Sequence, residues 1–187
     1  MKIGSLFSGY GGLDMAVAQH YDAQVVWHCE WDKAPSKILE HNYPGIPNYH
    51  DVSKVDWENV EPVDILTGGF PCQDLSLAGK RAGLKDGTRS GLWSEFARAI
   101  SILKPQKVII ENVRGLLSAT ASNSELEHCE WCMGEAGDDE PVLRALGAVL
   151  GDLADLGYDA KWTGVRAADA GAPHGRFRVF IIANPNG

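Results

Sequence analysis

Cysteine is scarce in this chain. Cys29, Cys72, Cys129 and Cys132 are the only four in 187 residues. They are too few and too unevenly placed for a disulfide framework, so reduced thiols are expected. Positive charge is also short: 17 lysines and arginines stand against 25 aspartates and glutamates, a net charge of −8. That balance repels a polyanion at long range and argues against nonspecific nucleic-acid binding by the whole surface. Long hydrophobic runs are missing, since the apolar stretches at 108–110 and 179–183 are strand-sized, and no membrane partner is expected. The N-terminus lacks the long apolar core of a secretion signal, so an untargeted cytoplasmic protein is expected. What is present is an ordinary globular composition, 44% hydrophobic and 22% charged, at a length that suits one domain.

The apolar pattern reads as strands alternating with helices. Residues 2–7 form a short apolar run that ends in Ser8-Gly9-Tyr10-Gly11-Gly12, after which Leu13, Ala16 and Val17 recur at helical spacing. A second strand at 24–29 precedes Asp32, a good cap for a helix that carries Ile38 and Leu39 and ends by Pro44. Strands at 63–67 and 107–110 flank a helix of period 3.6 through Leu92, Phe96, Ile100 and Leu103, stopped by Pro105. The helical pattern returns at 142–156, with Gly157 as its C-cap. Strands at 159–165 and 177–183 have no helix between them, so an antiparallel pair at one sheet edge is expected. Together these predict an α/β fold with a mostly parallel sheet and ligands at the carboxyl ends of its strands. Residues 118–141, acidic through most of their length, read as a solvated insertion.

Several polar residues fall at those strand ends. Gly9, Gly11 and Gly12 open a helix where backbone N–H groups can meet a ligand, but G-x-G-G is not the dinucleotide spacing and fits a plain tight turn equally well. Glu30-Trp31 ends the second strand. The acid can take ribose hydroxyls while the indole stacks on a base, or the two can be a surface acid beside a packing tryptophan. Asp51 adds a third polar group. Cys72 sits in a turn after the strand at 63–67, where it reads as a nucleophile or as an inert buried thiol. Glu111 arrives at the end of the next strand after an apolar run, partly desolvated, as suits a general acid.

The set Phe7-Ser8-Gly9-x-Gly11-Gly12, Glu30-Trp31, Asp51, Gly69-Phe70-Pro71-Cys72-Gln73-x-x-Ser76, Glu111-Asn112-Val113 and Arg176-x-Arg178-Val179 resembles the DNA cytosine-5 methyltransferases in order and spacing. The resemblance implies a Rossmann-like methyltransferase fold over 1–187 that binds S-adenosylmethionine. Phe7, Ser8, Gly9, Gly11, Gly12 and Leu13 would surround its methionine part and Glu30 its ribose. Trp31 would meet the adenine face, Asp51 and Val52 the adenine edge, with Pro71 and Leu92 completing the pocket. It further implies that Cys72 adds to carbon 6 of a cytosine flipped out of duplex DNA, while Glu111 engages ring nitrogen 3. Arg178 would bond the carbonyl oxygen, braced by Arg176. The basic segment 73–91 resembles the family's mobile catalytic loop, with Gln73, Ser76, Lys80, Arg81, Lys85 and Arg89 toward DNA.

The sequence departs from the family at His174, where glutamine usually opens the arginine motif, and in having no target-recognition half. Two readings follow: a catalytic half that works with a second polypeptide, or a silent relative that binds S-adenosylmethionine without methylating. Cys129-Glu130-Trp131-Cys132 is half of a zinc site with no second pair to complete it, so no metal is expected.

Overall fold

A computed structural model describes residues 1–71, 91–117, 120–121 and 143–187. The elements in chain order are β1 (Lys2–Leu6), α1 (Gly12–Tyr21), β2 (Gln24–Cys29), α2 (Lys33–Asn42), β3 (Ile65–Gly68), α3 (Leu92–Leu103) and β4 (Lys107–Val113). After these come the short strands β5 (Thr120–Ala121) and β6 (Leu143–Arg144), then α4 (Ala145–Asp155), β7 (Tyr158–Arg166) and β8 (Phe177–Pro185). Six strands form one sheet in the order β2-β1-β3-β4-β8-β7. The first four run parallel, and β8 lies antiparallel to both β4 and β7. All four residues of β3 are buried, as a central strand covered on both faces requires.

Successive residues of a strand point to opposite faces, and β4 shows the consequence. Ile110 joins a large apolar cluster with Trp27, Phe96, Leu153 and Ile181, packed by α3 and α4. Ile109 joins a second cluster with Ile3, Val17, Val25 and Ile65, packed by α1. The expected cap signals operate. Asp32 Oδ1 accepts the Ala34 N–H at 3.1 Å to open α2, and Gly157 follows α4 with a φ of 84° that only glycine adopts freely.

The structure corrects two boundaries. Ladder pairing with β8 carries β4 on to Val113, past the apolar run that marks it in the sequence. The last α-helix starts at Ala145, because Leu143 and Arg144 pair as a strand with Thr120 and Ala121. The expected antiparallel pair lies at one sheet edge, with β8 inside and β7 outside. The β7–β8 connection holds only a short turn, Ala167–Ala170, which cannot carry a parallel crossover. Among the described residues no helix is long and apolar enough to cross a membrane.

Candidate active site

The turn after β1 is built from unusual backbone. Phe7 has φ 52°, Gly9 φ 55° and Gly11 φ 85°, and the left-handed region costs a bulky residue on the order of 1–2 kcal/mol. Phe7 is held there by its N–H, which donates to the Cys29 carbonyl at 2.8 Å, and by stacking on Phe96 at 6.3 Å between ring centres. Beneath the turn, buried Asp14 accepts the hydroxyls of Ser5 at 2.8 Å and Thr67 at 2.6 Å. One carboxylate thereby ties the start of α1 to β1 and β3. Burial raises the Asp14 pKa above the ordinary carboxylate value.

The end of β2 is gripped by backbone donors. Glu30 is only 9% exposed, and its carboxylate accepts the Gly9 N–H at 2.7 Å and the Asp32 N–H at 2.8 Å. Asn48 orients the same residue: its Oδ1 accepts the Glu30 and His50 N–H groups at 2.9 and 3.1 Å, and its Nδ2 donates to the Glu30 carbonyl at 3.3 Å. Trp31, next in the chain, leaves 71% of its surface in solvent at the cleft rim. On the facing wall Asp51 caps a three-residue 3-10 turn, accepting the Ser53 N–H and hydroxyl at 3.1 and 2.7 Å. The Ser53 hydroxyl first, then Lys54, holds the Asp51 carboxyl below its ordinary pKa.

Between these walls lies a cleft of about 500 Å³, lined by Phe7, Glu30, Trp31, Asp51, Val52, Pro71 and Leu92, all expected from the sequence, together with Cys29, Asp32, His50 and Gly69. Ser8, Gly9, Gly11 and Gly12 build the turn without lining the cleft. Leu13, which the resemblance assigns to the cofactor, is half-buried in the first turn of α1 and packs against the second apolar cluster. Cys29 could not have been read as a cleft residue from a strand pattern alone. Its thiol donates to the His50 carbonyl at 3.4 Å. Burial first, then the Asp51 and Glu30 charges, pushes its pKa up to about 12, so it stays protonated and unreactive.

A second group of residues meets the cleft at Gly69. Glu111 Oε1 lies 2.5 Å from Arg178 Nε. Glu111 stands opposite Phe180 across the antiparallel ladder, so Arg178, two residues along β8, is its diagonal neighbour on the same face. Arg178 Nε is buried without an aligned acceptor, which makes the contact a charge pair rather than a linear hydrogen bond. A Cβ on Gly69 would lie 3.2 Å from both the carbonyl and Oε2 of Glu111. Glycine is therefore what lets the cleft wall and this carboxylate approach each other. Asn112 completes the arrangement: buried at 3% exposure, its Nδ2 donates to the Phe70 carbonyl at 3.0 Å. That bond anchors the Gly69-Phe70-Pro71 turn to β4. Neither Asn112 nor Asn48 had a role assigned from sequence, since nothing in their spacing names a backbone partner.

Arg176 is exposed and contributes its carbonyl to the Ala167 N–H at 2.8 Å. Cys72, Gln73, Ser76, Lys80, Arg81, Lys85 and Arg89, and also Cys129 and Cys132, lie outside the described residues. Among the described residues no group of three or more His, Cys, Asp or Glu side chains is placed to hold a metal ion.

This chain is similar to the type II methyltransferase M.NgoBV of Neisseria gonorrhoeae, with 32% identity over 98% of this chain and 41% of that protein. It is also similar to M.Bsp6I of Bacillus sp. (strain RFL6), with 29% identity over 100% of this chain and 53% of that protein. It thus spans about half or less of the length of these relatives. Among solved structures, the Dnmt2 methyltransferase of S. pombe shares its fold, with a TM-score of 0.71 at 18% identity over 100% of this chain and 51% of that one. The sheet is accordingly the mostly parallel, Rossmann-like one of these methyltransferases. The sequence profile of the C-5 cytosine-specific DNA methylases matches residues 1–187, and the chain belongs to that family.

Proposed function

We propose that residues 1–187 are the cofactor-binding and catalytic domain of a DNA cytosine-5 methyltransferase that uses S-adenosylmethionine, with 118–141 as an acidic insertion. The observation that carries the reading is the meeting, at one sheet end, of the nucleoside-sized cleft with the Glu111–Arg178 pair, joined through Gly69. The cleft suits the cofactor. Glu30 is pre-aligned by two backbone N–H groups and retains lone pairs for ribose hydroxyls. The exposed Trp31 indole offers a stacking face. Nothing stands within 4 Å of the position a Gly9 side chain would take, so a ligand can approach that backbone. Glu30, Asp32 and Asp51 give the lining a negative charge suited to a cationic ligand.

When bound, S-adenosylmethionine supplies an electrophilic methyl group. The remaining steps belong to the chain and the flipped cytosine. The Cys72 thiolate forms a bond to carbon 6, which makes carbon 5 an enamine nucleophile able to take the methyl group. Glu111 holds a proton at ring nitrogen 3 and Arg178 bonds the carbonyl oxygen, so the charge of the adduct is dispersed. Loss of the proton from carbon 5 to water, cleavage of the sulfur–carbon bond and return of the nitrogen-3 proton to Glu111 give back the thiolate and leave 5-methylcytosine. Basic side chains at 80–89 meet phosphates, which position DNA without reading its sequence. The recognition of target bases falls to other segments, on this polypeptide or a second one.

The test is a duplex bearing 5-fluorocytosine incubated with the protein and S-adenosylmethionine, with and without a candidate recognition polypeptide. A covalent adduct that depends on cofactor and is lost in Cys72→Ser is expected. An adduct that survives Cys72→Ser refutes the nucleophile. Absence of any heat on titrating folded protein with millimolar S-adenosylmethionine refutes the cofactor and leaves no basis for the reading.

A further inference from the structure

The 3-10 turn Val52–Lys54 makes one wall of the cleft, yet it is too short to hold itself. Its internal ladder is a single bond, Lys54 N–H to the Asp51 carbonyl at 3.0 Å. A helix end leaves its last carbonyls without intrahelical donors. Here the missing donors come from a different element. Arg98 Nη2 donates to the Val52 carbonyl at 3.2 Å, and Nη1 and Nη2 each reach the Val55 carbonyl at 3.4 Å. Glu95, one turn earlier on α3, fixes the guanidinium from behind, 2.8 Å from Nε and 2.7 Å from Nη2. The side chains of Arg98 and Glu95 are 30% and 26% exposed, so the fork lies half-buried between helix and turn.

The position of this fork connects it to the cleft. Val52, whose carbonyl it holds, lines the cleft from the turn, and Leu92 lines it from the first residue of α3. We propose that Arg98 is a positioning residue for the cofactor: it clamps the 51–55 turn to α3 and so sets the gap into which the adenosine part of S-adenosylmethionine inserts. This inference rests on the cofactor reading above. It makes Arg98 an arginine for a geometric reason, because only a planar fork can serve two carbonyls and a carboxylate together, and lysine offers one point donor. Arg98 is not among the residues that line the cleft, so removing it acts on affinity through Asp51 and Val52, and leaves Glu111, Arg178 and Gly69 in place.

The experiment is calorimetric titration of the whole chain with S-adenosylmethionine and S-adenosylhomocysteine, at a temperature well below the melting point of every variant used. Arg98→Gln is expected to weaken both ligands about tenfold. Arg98→Lys, which keeps the charge and the aliphatic stem and is the variant to rely on if Arg98→Gln does not fold, is expected to weaken them by a smaller factor. Tyr158→Phe is the control: it removes a buried bond of 2.8 Å to the Pro105 carbonyl, far from the cleft, and should lower the melting temperature without changing either affinity. Wild-type affinity in a folded Arg98→Lys or Arg98→Gln protein overturns the inference. So does an equal loss in Tyr158→Phe, which would mean that general loosening is responsible. Absence of binding by the wild type itself refutes the cofactor reading rather than the clamp.

Discussion

Replacing Glu30 by glutamine changes one oxygen to an amide nitrogen and nothing in shape, and the structure says why this small change should matter twice. Both carboxylate oxygens already accept backbone N–H groups, from Gly9 at 2.7 Å and Asp32 at 2.8 Å. An amide can serve only one of them, and its NH2 must face the other donor. The Gly9 side is the more enclosed and Asp32 is exposed, so the amide oxygen should stay on Gly9 and the Asp32 N–H should turn to water. The lost charge-assisted bond costs about 1.5–3 kcal/mol, reduced by that hydration to about 1.5–2. A chain of this size then melts about 3–8 °C lower, at roughly 2–4 °C per kcal/mol. Cofactor affinity suffers separately, because one of the two charged acceptors offered to the ribose is gone. A loss of about 1.5–3 kcal/mol of binding is about ten- to a hundredfold in Kd. Calorimetric titration with S-adenosylmethionine and a thermal melt read the two effects. An unchanged Kd in a folded Glu30→Gln protein would falsify the assignment of Glu30 to the ligand. An unchanged melting temperature would mean that the two backbone bonds do not brace the turn.

Trp31→Ala should weaken S-adenosylmethionine about fivefold or more, through loss of a stacking face of about 0.5–1.5 kcal/mol plus apolar contact. It should leave the melting temperature within a degree, because the ring is 71% exposed; a large drop in stability would mean that the indole is structural. Asn112→Ala strands the buried Phe70 carbonyl, and at about 1–3 kcal/mol for an unmet buried acceptor the midpoint of urea unfolding should fall at constant slope. An unchanged midpoint shows that the Gly69-Phe70-Pro71 turn is held otherwise. His28, buried beside Asp14 at 3.9 Å, is held neutral by burial, its pKa lowered from 6.5 to about 4. The unfolded chain takes up a proton below pH 6.5 that the folded chain refuses, so stability should fall by about 3 kcal/mol between pH 6.5 and 4. The raised pKa of Asp14 works in the opposite direction. Urea titrations across that range should show the slope flattened in His28→Phe; a slope that survives this change places its origin elsewhere.

The strand–turn–helix order was legible because apolar periodicity and turn residues are local properties. Asp32 announces α2, and Leu92, Phe96, Ile100 and Leu103 announce α3, whatever the rest of the chain does. The strand-end residues Glu30 and Glu111 were legible for the same reason, since a polar residue after an apolar run falls at the end of a strand. Pairing is different, because it joins residues far apart in sequence through backbone bonds that no side-chain pattern encodes. Only the tertiary structure places β8 between β4 and β7, and that insertion is what sets Arg178 diagonally across from Glu111. Only packing reveals that the Glu30 carboxylate is committed to Gly9 and Asp32, and that Cys29 borders the cleft with a thiol kept protonated by burial. Asn48, Asn112 and Arg98 act on backbone carbonyls and amides. Every residue presents those same groups, so the sequence holds no sign of which one a distant side chain will find, and folding alone determines it.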